Sequence, residues 1–127
     1  MKDTMIYSLT GIAYEEMMDL SRHSIKTFEL VCADHITIAQ KLKKGDLLFI
    51  SHLSKQDIQK GVDGFIGKVS DVKTDYWRTD PHEFDEKEVL SARIQVKYYA
   101  EGKITSIKDL GMGKGLQVSY DTHVMLG

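Results

Sequence analysis

Three features of this 127-residue chain predict an α+β fold: a small, mostly antiparallel β-barrel carrying two or three short helices. Residues 46–52 (DLLFISH) form an almost wholly apolar strand, residues 89–99 alternate between apolar and polar, and the remainder divides into further short strands and helices. A strand apolar on both faces belongs inside a closed sheet. Strict alternation marks a strand with one dry and one wet face. Five or six such strands with two or three short helices, in a chain of this length, make a barrel the economical arrangement.

The elements follow in order. Ile6 to Leu9 reads as a short strand that Gly11 interrupts. Ala13 to Leu20 (AYEEMMDL) then reads as a helix with Ala13, Met17 and Leu20 on one face and its acids near the N-terminus, where the helix dipole favours them. Thr27 to Val31 is a strand. Asp34 is placed to cap a second helix, His35 to Leu42, burying Ile36, Ile38, Ala39 and Leu42, with Gly45 closing it. The apolar strand Asp46 to His52 follows, then Phe65 to Val72, in which Gly67 permits close approach of a backbone or ligand. Residues 73–88 (KTDYWRTDPHEFDEKE) read as a long polar loop. Strand Val89 to Tyr99 sets Leu90, Ala92, Ile94, Val96 and Tyr98 on one face and Ser91, Arg93, Gln95 and Lys97 on the other. Ser106 is placed to cap a one-turn helix ending at Leu110, Gly111 to Gly115 make a turn, and Leu116 to Ser119 and His123 to Leu126 close the sheet.

The whole-chain numbers narrow the function classes. One domain, residues 1–127, suits the length. Forty-two per cent hydrophobic and 28 per cent charged residues are ordinary for a globular protein, and no apolar run approaches the roughly 20 residues that cross a bilayer. The N-terminus lacks the basic-then-apolar order of a signal peptide. A single cysteine, Cys32, excludes an internal disulfide and points to a reducing, cytoplasmic setting. A net charge of −2 is not the basic surplus by which proteins grip nucleic acid through phosphates. A nucleic-acid ligand would have to be discriminated by a pocket, with Lys41, Lys43 and Lys44 assisting locally.

Few constellations carry chemistry. The five histidines (His23, His35, His52, His82, His123) show neither helical pair spacing nor cysteine–histidine spacing, so no metal site is predicted and no cofactor either. Ser51 and His52 are adjacent on a strand and point to opposite faces, so they cannot form a nucleophile–base pair. No G-x-S-x-G elbow is present. Gly111 to Gly115 lacks the spacing of a phosphate-binding loop. Ser51-His52 does, however, lie where the buried strand emerges, at the mouth of the predicted barrel, where a flat ligand can be held. Tyr76-Trp77-Arg78 places the only tryptophan in a polar stretch, either as an anchor folded over the barrel or as a stacking wall for a base.

At motif level the chain resembles the EVE domain, a PUA-like family related to the YTH readers of methylated RNA. IYSLTGIAYEEMMDL is similar to that family's opening strand and helix, and VCADHITIAQKLKKGDLLFISH to its loop–helix–K-x-G-D–strand unit. GFIGKV is similar to its G-x-V-G strand, and IQVKYYAEGKITSIKDL to its late strand and basic turn. The resemblance implies a PUA-like barrel whose pocket accepts a modified base flipped out of RNA or DNA, without catalysis. It places Thr10, His35, Thr37, Ser51 and His52 at the pocket, with Tyr76 and Trp77 stacking on the base and Lys41, Lys43 and Lys44 on flanking phosphates. Threonine stands at position 37 where many members have asparagine, and Ser8 follows Tyr7 where a tryptophan is common.

Two rival readings differ in class. The PUA-like ASCH type includes amidohydrolases acting on acylated cytidine with a lysine, a threonine and an acid, which here would enlist Lys26 and Thr27 or Thr37. A protein-interaction module would instead show an exposed apolar patch and no pocket.

Overall fold

Leu48, Phe49 and Ile50 are completely buried at consecutive positions, so strand β3 (Leu47–Ile50) meets a dry layer on each face. In the computed structural model, which describes residues 5–77, 88–111 and 113–122, those two layers are two separate apolar clusters. Leu48 and Ile50 face one, and Phe49 faces the other. The doubly apolar sequence of this strand therefore reflects a dry layer on each of its faces.

The architecture is α+β. Strand β1 (Ile6–Leu9) leads to helix α1 (Tyr14–His23), β2 (Ile25–Leu30), helix α2 (Ala33–Lys41) and β3. A 3₁₀ turn at Lys55–Asp57 precedes the long strands β4 (Asp63–Trp77) and β5 (Glu88–Asp109), and β6 (Leu116–Thr122) ends the described chain. All six strands share one sheet in the order β2-β5-β4-β3-β1-β6, and β5 also pairs with β6. The pairings β5–β4–β3–β1–β6 thus return to β5. Among the described residues, only β1 with β3 is parallel; the other pairings are antiparallel.

One strand serves two pairings because it is long. The first half of β5, residues 92–97, pairs with β2, and its second half, residues 102–109, pairs with β6. Inside the circuit, each of the five strands contributes to one cluster: Ile6, Phe49, Ile66, Ile104, and Leu116 with Val118. Ser8 is buried beside them, and its hydroxyl has no partner among the described residues. The larger cluster lies outside the circuit, where Met17 and Leu20 of α1 and Ile38 and Ala39 of α2 cover Phe28, Leu30, Ala92, Ile94 and Val96. Among the described residues, no helix is long and apolar enough to cross a membrane.

Several boundaries depart from the sequence reading. Ala13 is the exposed N-cap of α1 and not part of its buried face, and the helix continues to His23, where Ser24 turns left-handed (φ 65°) to start β2. Val31 is exposed beyond β2. Cys32, not Asp34, occupies the N-cap of α2; the Asp34 carboxylate instead lies 3.5 Å from Lys55 Nζ, which also reaches Asp109 at 3.4 Å. Helix α2 ends at Leu42 in extended backbone, and Gly45 (φ +93°) serves the turn into β3, donating to the Val69 carbonyl. Residues 73–77 belong to β4 and are not a loop. Nor do residues 106–110 form a helix: Ser106 pairs with Ser119 and Ile107 with Val118 in the sheet. Pairing with β6 supplies partners that a lone helical turn could not, and tertiary context overrides so weak a local preference. The expected strand His123 to Leu126 lies outside the described residues.

Candidate functional site

The parallel pairing of β1 and β3 brings both chain exits to one end of the sheet. Ser51 donates its amide to the Leu9 carbonyl, and Ile12 and Gly11 donate theirs to Ser51 and Leu53. Gly11 takes φ +67°, which lets the chain swing from β1 into α1. This zipper sets Tyr14, the first residue of α1, against His52. Their ring centroids lie 5.8 Å apart with planes at 83°. Together they make a right-angled aromatic corner.

The corner opens onto a cleft of about 340 Å³. Buried Met17, Gly64 and Phe65 form its floor, and partly exposed Met18 with exposed Asp63 and Glu101 form its rim. Phe65 is held by an edge contact with Tyr98, centroids 5.3 Å apart. Burial beside the Glu101 charge pushes the Tyr98 phenol up from its ordinary value, so this ring stays neutral near pH 7.

Among the described residues, His52 is the one predicted site residue that lines this cleft. Ser51, the residue before it, is fully buried, and its hydroxyl accepts the Leu53 amide. Thr10 and His35 are brought together, with His35 Nε2 2.7 Å from the Thr10 carbonyl. Because a carbonyl only accepts, the neutral ring carries its proton on Nε2. Thr37 sits two residues further along α2, roughly 200° round the helix from His35.

Burial lowers the His35 pKa from 6.5 against the opposing pull of the Thr10 carbonyl and the Asp34 carboxylate. In the interval between the folded and unfolded values, the unfolded chain binds the extra proton. Stability linked to His35 is therefore complete above about pH 6.5 and falls as the pH drops through the folded value. Urea midpoints at about pH 7.5 and about pH 5 should fall further apart for the wild-type chain than for His35→Gln. Equal losses in the two proteins would show that His35 does not contribute to the acid sensitivity.

The lysines lie elsewhere. Lys43 and Lys44 are exposed in the turn before β3, with the Lys43 amide bound to Asp46 Oδ2 at 2.8 Å. Lys41 Nζ stands 5.8 Å from the Tyr7 ring centroid. From Asp46 to Ser51 the chain advances about 15 Å, so these cations flank the opposite end of β3 from His52. That end carries a second cleft of about 480 Å³, whose lining includes Tyr7, Leu42, Asp46 and Tyr120. Tyr76 and Trp77 pair by backbone with Val89 and Glu88 at the far end of the β4–β5 hairpin, and their side chains lie outside the described residues.

The residues an amidohydrolase reading would enlist are also apart. Lys26 Nζ is 3.4 Å from Asp19 of α1, Thr27 is exposed on β2, and Thr37 is on α2. The exposed large apolar side chains Tyr14, Ile25, Val31 and Tyr99 belong to α1, β2, the β2–α2 connection and β5. Among the described residues, no group of three or more histidine, cysteine or acidic side chains is arranged to hold a metal ion.

Sequence reasoning missed most of the cleft. Tyr14 and Met18 carried a signal, since they stand four apart on the same helical stripe, beside the core positions Met17 and Leu20. Asp63 and Glu101 carried none, because strand register alone brings them near α1.

Fold and cleft together define an α+β module with a mostly antiparallel six-stranded sheet and an aromatic-cornered cleft where β1 and β3 end. A family model described as "Protein of unknown function (DUF473)" matches residues 4–118, so the chain belongs to that family. It is also 29% identical, over 105 residues, to an uncharacterized protein of Methanocaldococcus jannaschii; the match covers 83% of this chain and 68% of that protein. No solved structure matches the chain.

Proposed function

We propose that this chain is a PUA-like barrel that binds a modified nucleobase of RNA or DNA without transforming it. The observation that carries the reading is the corner made by Tyr14 and His52, two rings at 83° over an apolar floor. A base laid on one ring turns its edge toward the other, and base–aromatic stacking contributes about 1–3 kcal/mol. Rim carboxylates accept from base amino groups, as acids do from cytosine N4. A base in a strand must first leave its stack at a cost of a few kcal/mol, which stacking and edge bonds together offset. The circuit of pairings β5–β4–β3–β1–β6 supports the barrel, and the motif order supports the EVE-like relation.

Equilibrium dialysis of the chain against modified and unmodified nucleosides and short oligonucleotides tests this. Saturable binding of at least one modified member is expected, weakened about tenfold or more in Tyr14→Ala. This substitution leaves the fold intact, since the ring is 60% exposed. A folded wild-type chain that binds no member of the panel overturns the reading.

A further inference from the structure

We infer that the base held in the Tyr14–His52 cleft carries a positive charge, as a ring-N-alkylated nucleoside such as 7-methylguanosine or 3-methylcytidine does. The inference rests on the base-binding reading and names its ligand class.

The composition of the cleft is asymmetric. Its charged lining is two carboxylates, Asp63 and Glu101, and no lysine or arginine is among the described residues that form it. The two acids are not equivalent. Asp63 pairs in register with Lys103, so a cation stands across the strand from it. Glu101 pairs with Phe65, so its cross-strand neighbour is the apolar floor. Glu101 is thus the acid whose directly opposite neighbour is apolar, and Lys103, two residues along on the same face of β5, stands opposite the other acid, Asp63. The N-terminus of α1 brings partial positive charge to Tyr14, and Glu15 and Glu16 in the first turn offset it. The basic turn at Lys43 and Lys44 is at the other end of β3, too far to neutralise the rim.

The apolar walls fit the same ligand. A π face attracts a cation electrostatically, most strongly where water is partly excluded, and aromatic corners are the usual receptors for alkylated cations. Met17 and Met18 add polarizable thioethers beside the rings. A neutral base would gain the stacking but cover the Glu101 carboxylate without offering it a charge, which costs free energy. A cationic base stacks on the corner and also neutralises that charge. Discrimination between the two is the expected property of this lining.

Isothermal titration of the full chain at moderate salt, with guanosine against 7-methylguanosine and cytidine against 3-methylcytidine, tests the inference. The cationic member of each pair should bind about tenfold tighter or more. Glu101→Gln, an exposed and nearly isosteric change, should reduce that ratio to within about twofold while retaining binding. Tyr14→Ala should weaken both members. If the neutral parents bind as tightly as the cations, or if Glu101→Gln leaves the ratio unchanged, charge selection fails and base binding stands. If no nucleoside of either kind binds the folded chain, the base-binding reading fails with it.

Discussion

Phe49→Ala is expected to remove on the order of 3–5 kcal/mol of folding stability, a large share of what a domain of this size possesses. The ring is completely buried, and it is the aromatic centre of the cluster enclosed by β1, β3, β4, β5 and β6. Its cross-strand neighbours are Ser8 on β1 and Ile66 on β4. The cost of such a truncation depends on how far the surroundings can collapse into the space left behind. Here they can collapse little, because each enclosing strand is hydrogen-bonded to a strand on either side. Urea denaturation followed by circular dichroism measures the loss directly. A loss below about 1.5 kcal/mol would mean that the enclosed cluster tolerates a void and contributes little to stability. Tyr99→Ala is the control, since an exposed ring on β5 should change stability by no more than about 0.5 kcal/mol.

Much of the fold was legible because strong patterns coincide with real burial. Residues 89–99 alternate, and Ala92, Ile94 and Val96 are indeed completely buried while Arg93 and Lys97 are exposed. The uninterrupted apolar run at β3 marks the strand with two dry faces. Reading failed where local preference was weak and pairing decided. Residues 73–75 are polar, yet they continue β4 because β5 offers them partners out to Glu88. Ser106 resembles a helix cap, but it stands in β5 opposite Ser119, to whose hydroxyl its own is bonded.

Among the described residues, the candidate cleft was legible only at His52, for a comparable reason. The exit of a buried strand can be seen in one segment of sequence. A cleft is assembled by register between segments, as when Glu101 is set beside Phe65, and no local pattern encodes that. His35 drew notice as a polar residue at a helix start. Its bond to the Thr10 carbonyl gives it a structural task instead, fastening α2 to the end of β1.

Gly64→Ala is expected to cost about 3 kcal/mol, near the upper end of overpacking effects, and to impair the cleft as well. A Cβ built at Gly64 would lie 2.6 Å from the Ile50 carbonyl oxygen and 2.5 Å from Phe49 Cζ. The phenyl ring could tilt, but the carbonyl belongs to the β3 backbone and is fixed by the sheet. Gly67 makes the instructive comparison. There a Cβ would meet Val96 Cγ1 at 2.1 Å, a side-chain methyl, with the nearest backbone atom 3.4 Å away. The close approach expected at Gly67 is therefore that of a packed valine and not of a ligand. Trimming the obstructing partner should accordingly rescue one substitution and not the other. Val96→Ala in the Gly67→Ala background removes the clashing methyl, so the two changes together should cost less than the sum of each alone. Phe49→Leu in the Gly64→Ala background leaves the Ile50 oxygen in place, so most of the loss should persist. Since Gly64 also floors the cleft, pushing β4 away from β3 would displace Phe65 and, on the base-binding proposal, weaken nucleoside binding in step with stability. Full rescue of Gly64→Ala by Phe49→Leu would show that the phenyl ring, and not the backbone of β3, sets how closely these two strands approach.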